Sequence, residues 1–247
     1  MVHSYRLLAS SDNHFGGLLP FGDRPPSDKK SLSLTVDEPY DVLNVVLHTV
    51  YGMSCDAHHP SIDCLSRSID VFKYCGLPLR RYLSQNGSPL YTTILNHAVA
   101  NPVEIYTIAA SHSLEDLAIA SSLYTLDIRL NEIPDAMADR IGTFYLQRLH
   151  KLHGLRMEHL QRLLSRSVPY HEEKAWCSAE KREEVSSAVH VAAIQLFYNA
   201  TPAITRATIE TTISSVADSV DCPDCKQTIA LYGRELGTDW SLFGRTI

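Results

Sequence analysis

The sequence predicts an α+β protein that is mainly helical, with a small sheet near its N-terminal end. Most segments of the chain repeat their apolar residues at the three- and four-residue spacing of a helix with one buried face. One segment, 31–36, alternates instead, so that Leu32, Leu34 and Val36 share one face of a strand. A composition of 45% apolar and 20% charged residues is that of a globular chain and excludes wholesale disorder.

The first half of the chain is predicted to contain a loop, the strand and five helices. Glycines and prolines without helical period predict an extended or looped chain over residues 1–30. Two segments, 39–51 and 61–75, have an apolar stripe and a glycine directly after the last periodic residue, which is a common helix stop. Further helices are predicted over 89–98, 102–111 and 113–126, the first two opened by a proline.

The second half is predicted to contain three long helices. The first runs from Pro134 to Leu164, with Gly142 and Gly154 as points where it bends or breaks. Residues 166–178 are irregular, and a helix follows over 179–198. The last predicted helix extends to residue 220 and takes Thr201 as its N-cap, because Pro202 follows at the first helical position.

Charge, cysteine content and hydropathy narrow the class of protein. The 22 basic and 28 acidic residues give a net charge of −6, which argues against a protein that coats nucleic acid. Six cysteines in 247 residues, without a signal-peptide pattern, favour an intracellular location in the cytoplasm or nucleus. The longest apolar stretches reach about half of the ~18 residues that a membrane span needs, so no membrane helix is expected.

The sequence lacks the common catalytic signatures. It contains no nucleophile elbow, no phosphate-binding glycine loop, no dinucleotide fingerprint and no His-Glu-x-x-His pair. The acidic pairs 172–173 and 183–184 look like solvated faces. We therefore expect no enzymatic activity and name no catalytic residue.

The sharpest chemical signal is the Cys-x-x-Cys pair formed by Cys222 and Cys225. This spacing lets two thiolates converge on one tetrahedral metal ion with little backbone strain. His171 and Cys177 lie in the irregular segment and supply the other half of a four-ligand set. Three sulfurs and one imidazole favour zinc over calcium or magnesium, so the sequence predicts a structural zinc site.

The cysteines of the last third also allow roles without a metal. The Cys-x-x-Cys pair could be a redox pair or two thiols in a turn, and His171 could be an exposed loop histidine. A thioredoxin-like role is less well supported, because the motif does not lie between a strand and a helix in a βαβ pattern. A second set, Cys55, His58, His59 and Cys64, is better interpreted as small buried cysteines than as a metal site.

Two further features each allow a structural and a functional interpretation. The segment 148–162 is locally basic, and a solvated helix face accounts for that better than nucleic-acid contact does. The two tryptophans, Trp176 and Trp240, are expected in the small core of the C-terminal part rather than in a binding surface.

The N-terminal sequence resembles the BTB/POZ family. Residues 2–15 are VHSYRLLASSDNHF, similar to the V-H-x-x-x-L-x-x-S-S-x-x-F run of these domains. The segment Val46–Gly52 is similar to their helix with a Tyr-Gly turn, and Val71–Gly76 to their A-x-K-Y-x helix. Relative to that pattern the chain starts at the V-H motif, without the strand and helix that precede it.

The resemblance continues towards the C-terminus. Residues 102–118 and 145–153 are similar to the helical extension of BTB proteins from mushroom-forming (basidiomycete) fungi. Those proteins also carry a His-x5-Cys, a terminal Cys-x-x-Cys and a following tryptophan, matched here by His171, Cys177, Cys222, Cys225 and Trp240. The resemblance implies a partial BTB/POZ-like head over 1–98, a helical extension over 99–165 and a C-terminal helical module over 166–247.

The resemblance also implies a function. It indicates a non-enzymatic adaptor or scaffold that binds protein partners, self-associates as a homo-oligomer, or links a partner to a cullin-type ubiquitin ligase. The alternative is a transcription-associated nucleic-acid-binding protein that uses the basic helix and the Cys-x-x-Cys module.

Overall fold

The structure is a computed structural model that describes residues 2–19, 33, 35–83 and 88–247. Within these ranges the chain forms helices α1 to α11 and no strand: α1 (Ser4–Ser10), α2 (Tyr40–Val50), α3 (Ile62–Tyr74), α4 (Leu79–Tyr82), α5 (Pro89–Asn96), α6 (Pro102–Ser111), α7 (Glu115–Ser122), α8 (Asp135–Leu164), α9 (Ala179–Asn199), α10 (Arg206–Ser214) and α11 (Pro223–Ser241). The protein is 69% helical and belongs to the all-α class. None of the described helices is long and apolar enough to cross a bilayer.

The predicted α+β class with a small sheet is therefore wrong. Ser31, Leu32 and Leu34 lie outside the described residues, while Thr35 and Val36 are described and do not form a strand. A strand needs a partner for its backbone hydrogen bonds, and an alternating segment of six residues cannot form a sheet alone. The other apolar segments all have helical period, so the sequence offers no second strand.

The contacts divide the chain into two compact units. The N-terminal unit consists of Met1–Thr125 and Ile133–Tyr145, and the C-terminal unit consists of Leu126–Glu132 and Leu146–Ile247. Helix α8 contributes to both units and is broken at Gly142, whose φ of 74° and ψ of 157° are not helical. The predicted interruption at Gly142 is confirmed, whereas Gly154 lies within the helix.

The core of the N-terminal unit is built from the apolar stripes that the sequence shows. Helices α2 and α3 pack together, and each buries one face, because a stripe at three- and four-residue spacing lies on one side of a helix. The predicted stripe of α2 is only half right, since Val46 and Val50 are buried but Leu43 and Leu47 are not. Fully buried side chains of this core include Val46, Leu65, Ile69, Phe72, Ile94, Ile105 and Leu117.

The Ser11–Asn13 segment caps the C-terminal end of α3. Ser11 Oγ donates to the carbonyl of Cys75 at 2.6 Å, and Asn13 Nδ2 donates to the carbonyl of Tyr74 at 2.8 Å. These two bonds satisfy carbonyls that have no partner inside the helix. Gly76 follows at a φ of +62°, and a Cβ there would lie 2.6 Å from the Asn13 side chain. Residues Ser4–Ser10, which lie within the segment 1–30 predicted to be extended or looped, form the short helix α1.

The core of the C-terminal unit lies between α8, α9, α10 and α11. Its fully buried residues include Leu160, Val189, Ile209, Ile213, Ile229, Leu236 and Trp240. Helices α10 and α11 pack against each other, because Gly233 and Gly237 leave room for the backbone and side chains of α10. The predicted N-cap at Thr201 is wrong, since Thr205 caps α10 by accepting from the backbone N–H of Thr208.

Candidate metal centre

The structure brings together the four predicted ligands His171, Cys177, Cys222 and Cys225. Their ligand atoms all lie within 4.8 Å of one another. His171 Nε2 is 3.2 Å from Cys225 Sγ and 3.5 Å from Cys222 Sγ, and the sulfurs of Cys177 and Cys225 are 3.7 Å apart. A tetrahedral ion with bonds of 2.0 to 2.3 Å separates its ligand atoms by about 3.3 to 3.8 Å, so the closer distances already match.

The two cysteines of the Cys-x-x-Cys motif are placed by the first turn of α11. Cys222 is the N-cap residue, Pro223 takes the first helical position, and Cys225 follows at the third. One helical turn therefore turns both sulfurs to the same side. The N-terminal end of a helix favours negative charge, so this position also suits thiolates.

The other two ligands come from the segment between α8 and α9. The backbone N–H of Cys177 donates to the carbonyl of Lys174 at 3.0 Å, which turns the chain so that the Cys177 side chain is fully buried. Ser178 caps α9 directly after it by accepting from the backbone N–H of Lys181. His171 Nδ1 donates to the carbonyl of Glu172 at 2.6 Å, which leaves the lone pair of Nε2 to face the sulfurs of Cys222 and Cys225.

Several charged side chains hold these ligands without belonging to the set. Arg182 of α9 donates through Nη1 to the carbonyl of His171 at 2.9 Å. Lys174 donates to the carboxylate of Asp224, between the two α11 cysteines, also at 2.9 Å. The sequence does not predict these positioning contacts; the one signal for them is the placement of Asp224 inside the Cys-x-x-Cys motif.

The local environment gives the thiols of Cys222 and Cys225 different pKa values. Burial raises the pKa of Cys225 to about 12, and its hydrogen bonds to Cys177 and Cys222 act in the same direction. Burial also disfavours the Cys222 thiolate, but the backbone N–H of Cys225 and the Cys177 thiol outweigh it and lower the pKa of Cys222 to about 7. The Cys222 thiol therefore loses its proton easily, whereas a bound cation would have to displace the proton of Cys225.

The donor set decides which metal ions fit. Three sulfurs and one imidazole are soft or borderline ligands, which suit tetrahedral transition-metal ions and not calcium or magnesium. Cys177, Cys222 and Cys225 are buried and His171 is half-buried, so the site is largely closed to solvent. Four protein ligands fill a tetrahedral ion and leave no position for a substrate.

The second cysteine and histidine set is not assembled. In the described part of the chain, the C-terminal cluster is the one group of three or more His, Cys, Asp or Glu residues with metal-binding spacing. Cys55 hydrogen-bonds Thr93 instead, and Cys64 is buried in α3, where burial raises its pKa to about 11. These two cysteines are ordinary core residues, as the sequence indicates.

The basic segment of α8 is only partly a solvated face. Arg156 is 1% exposed and His153 is 8% exposed, so both point into the C-terminal unit. Arg148, Lys151 and Arg162 are left at the surface or half-buried. The prediction of one solvated basic face is therefore wrong for the two central residues, and the surface offered to a nucleic acid is smaller than the sequence suggests.

The two tryptophans have opposite environments. Trp240 is 2% exposed and donates its indole N–H to the carbonyl of Ile204, which confirms the predicted core position. Trp176, one residue before the ligand Cys177, is 61% exposed, which contradicts the prediction for it. Its ring lies 5.5 Å from the ammonium group of Lys174.

Comparison of the chain with family models, with curated proteins and with solved structures found no match. The BTB/POZ resemblance therefore stays a prediction from the sequence.

Proposed function

We propose that this chain is a non-enzymatic adaptor or scaffold whose C-terminal unit is stabilised by a structural zinc ion bound to His171, Cys177, Cys222 and Cys225. The observation that supports the proposal is the convergence of these four ligand atoms within 4.8 Å. Zinc is the best match among biological metals because it prefers tetrahedral sulfur and nitrogen ligands.

A structural role follows from where the ligands come from. His171 and Cys177 precede α9, while Cys222 and Cys225 open α11. An ion held by all four therefore fixes an irregular segment to the start of a helix some fifty residues further along the chain. Such an ion contributes folding free energy directly, because the unfolded chain does not hold the ligands together.

The adaptor role rests on the surface and on the sequence resemblance. Helix α9 leaves Val191, Ile194 and Tyr198 exposed along one face, and large exposed apolar groups in a row are common where proteins bind one another. The BTB/POZ resemblance of residues 2–98 supports the same role, including self-association and the link to a cullin-type ubiquitin ligase.

The metal is tested by elemental analysis of the full chain purified without added metal or chelator. We expect close to one zinc per chain. Cys222→Ser should lose the metal and lower the melting temperature, whereas Cys75→Ser, which changes a buried cysteine outside the cluster, should keep the metal. A metal-free wild-type protein whose melting is unchanged by Cys222→Ser would overturn the zinc site.

The adaptor role is tested by sedimentation velocity of the full chain, alone and with a purified cullin amino-terminal domain. Association should depend little on salt, because apolar contacts do not release counterions. Binding to duplex DNA that weakens steeply between low and moderate salt, with no association in the sedimentation runs, would instead support the nucleic-acid alternative.

A further inference from the structure

A narrow cleft reaches two of the four ligands, His171 and Cys225. It offers about 10 Å³, which is room for a water-sized molecule, and its walls include Cys225, His171 and Arg182. Cys177 and Cys222 do not line it. The cleft therefore gives a small molecule a route to Cys225, in addition to the exposed edge of Cys222, whereas Cys177 is fully buried.

A second sulfur, from another segment of the chain, lies close to that of Cys225. Cys177 Sγ is 3.7 Å from Cys225 Sγ, and all three sulfurs stay within 4.8 Å. A disulfide needs an S–S distance of about 2.05 Å, so the two sulfurs must approach by less than 2 Å. Zinc-bound cysteines are thiolates, which is the form that reacts with oxidants.

We propose that the metal centre is a redox-responsive switch, in which hydrogen peroxide converts Cys177 and Cys225 into a disulfide and releases the zinc ion. This inference rests on the zinc site proposed above. The Cys225 thiolate takes one oxygen from the peroxide, the O–O bond breaks, and hydroxide leaves. The Cys177 thiolate then attacks the Cys225 sulfur, the S–O bond breaks, and a second hydroxide leaves.

The electrons and atoms balance in these two steps. Two thiolates lose two electrons and form one S–S bond, while the peroxide gains them and ends as two hydroxides, which solvent protonates to water. Zinc keeps its charge and leaves because two of its four ligands are gone. A dithiol reductant with zinc in the buffer reverses the reaction.

The structural consequence is confined to one segment. Both the metal and the disulfide connect the residue before Ser178, the cap of α9, to the first turn of α11, so that link persists in both states. Of these two links, only the metal also binds the imidazole of His171. After oxidation, the segment 166–176 keeps side-chain contacts such as Lys174 to Asp224, but it loses its tether to the cluster.

The test uses the zinc-loaded full chain, hydrogen peroxide, a chromogenic zinc indicator and non-reducing peptide mapping. We expect one zinc released for each Cys177–Cys225 disulfide formed, faster tryptic cleavage after Lys174, and recovery of zinc binding with a dithiol. The variant Cys55→Ala/Cys64→Ala/Cys75→Ala keeps only the cluster cysteines and should respond in the same way. If that variant fails to fold, peptide mapping of the wild type assigns the disulfide.

Three results would overturn the switch while leaving the zinc site intact. The first is a zinc-loaded protein that keeps its metal at peroxide concentrations that oxidise free cysteine. The second is a dominant disulfide between Cys222 and Cys225, and the third is zinc release with sulfinic acid and no disulfide. A chain purified without zinc would instead contradict the proposed function itself.

Discussion

Arg156 shows how a single residue can depart from what its sequence pattern indicates. It lies in a basic stretch of α8, yet its guanidinium donates to backbone carbonyls, from Nε to Pro202 at 2.7 Å and from Nη1 to Gly244 at 2.8 Å. The guanidinium carbon also lies 4.2 Å from the centre of the Trp240 ring. Arg156 therefore fastens the residues after α11 to α8, and its charged group serves internal packing rather than a partner.

The contacts of Arg156 predict a large loss of stability in Arg156→Ala. Three backbone carbonyls would lose their donor and the contacts of a fully buried side chain would be lost, which costs about 2 to 4 kcal/mol in the free energy of unfolding. Arg156→Lys should recover only part of it, because an ammonium group lacks the planar fork. Urea unfolding measures both, with exposed Arg162→Ala as the control. A change below about 0.5 kcal/mol in Arg156→Ala would contradict this role.

His153 makes the stability dependent on pH. Burial, together with the nearby His150 and Arg156, lowers its pKa to about 4, and no described group hydrogen-bonds its Nε2. In the unfolded chain the pKa of His153 is about 6.5. Between about pH 6.5 and 4, His153 therefore binds a proton in the unfolded state but not in the folded state. This contribution to stability is complete above pH 6.5 and is lost as the pH falls.

The matching experiment compares urea midpoints at pH 7 and pH 5. The wild type should lose more stability between them than His153→Leu, which has no proton to bind at that position. Lys151→Gln, at an exposed position of the same helix, should behave like the wild type. Equal pH dependence in the wild type and His153→Leu would contradict the assignment.

At the scale of elements, α11 shows why the sequence pattern is not enough. The apolar periodicity predicts no helix beyond residue 220 and misses α11, which contains two glycines in its interior, an unfavourable choice for an isolated helix. The helix forms because those glycines let it pack against α10: a Cβ on Gly233 would lie 3.3 Å from the carbonyl oxygen of Glu210. Tertiary packing here overrides local propensity.

Two glycine substitutions separate these effects. Gly233→Val should destabilise the protein by about 1 to 3 kcal/mol, because its side chain meets the backbone of α10. Gly154→Ala should stabilise it by about 0.5 to 1 kcal/mol, because no atom lies within 4 Å of its Cβ and alanine favours a helix. Urea unfolding compares both with the wild type. A neutral Gly233→Val would show that α10 and α11 are not closely packed.

At the scale of the whole molecule, the sequence predicts the convergence of the four candidate ligands better than it predicts the fold class. The Cys-x-x-Cys spacing is a local signal, and a histidine and a cysteine in an irregular segment complete the set. The predicted sheet is wrong because alternation in 31–36 says nothing about a partner strand. The exposure of Trp176 and the burial of Arg156 depend on contacts between distant segments, which no local pattern contains.

The proposed function depends on a closed zinc site with three sulfurs and one nitrogen. X-ray absorption at the zinc edge, on the full chain purified without added metal, tests this site most directly. We expect three sulfur neighbours at about 2.3 Å and one nitrogen at about 2.0 Å, with no oxygen ligand. A zinc shell made mostly of oxygen and nitrogen, or a chain that carries no zinc, would contradict the site.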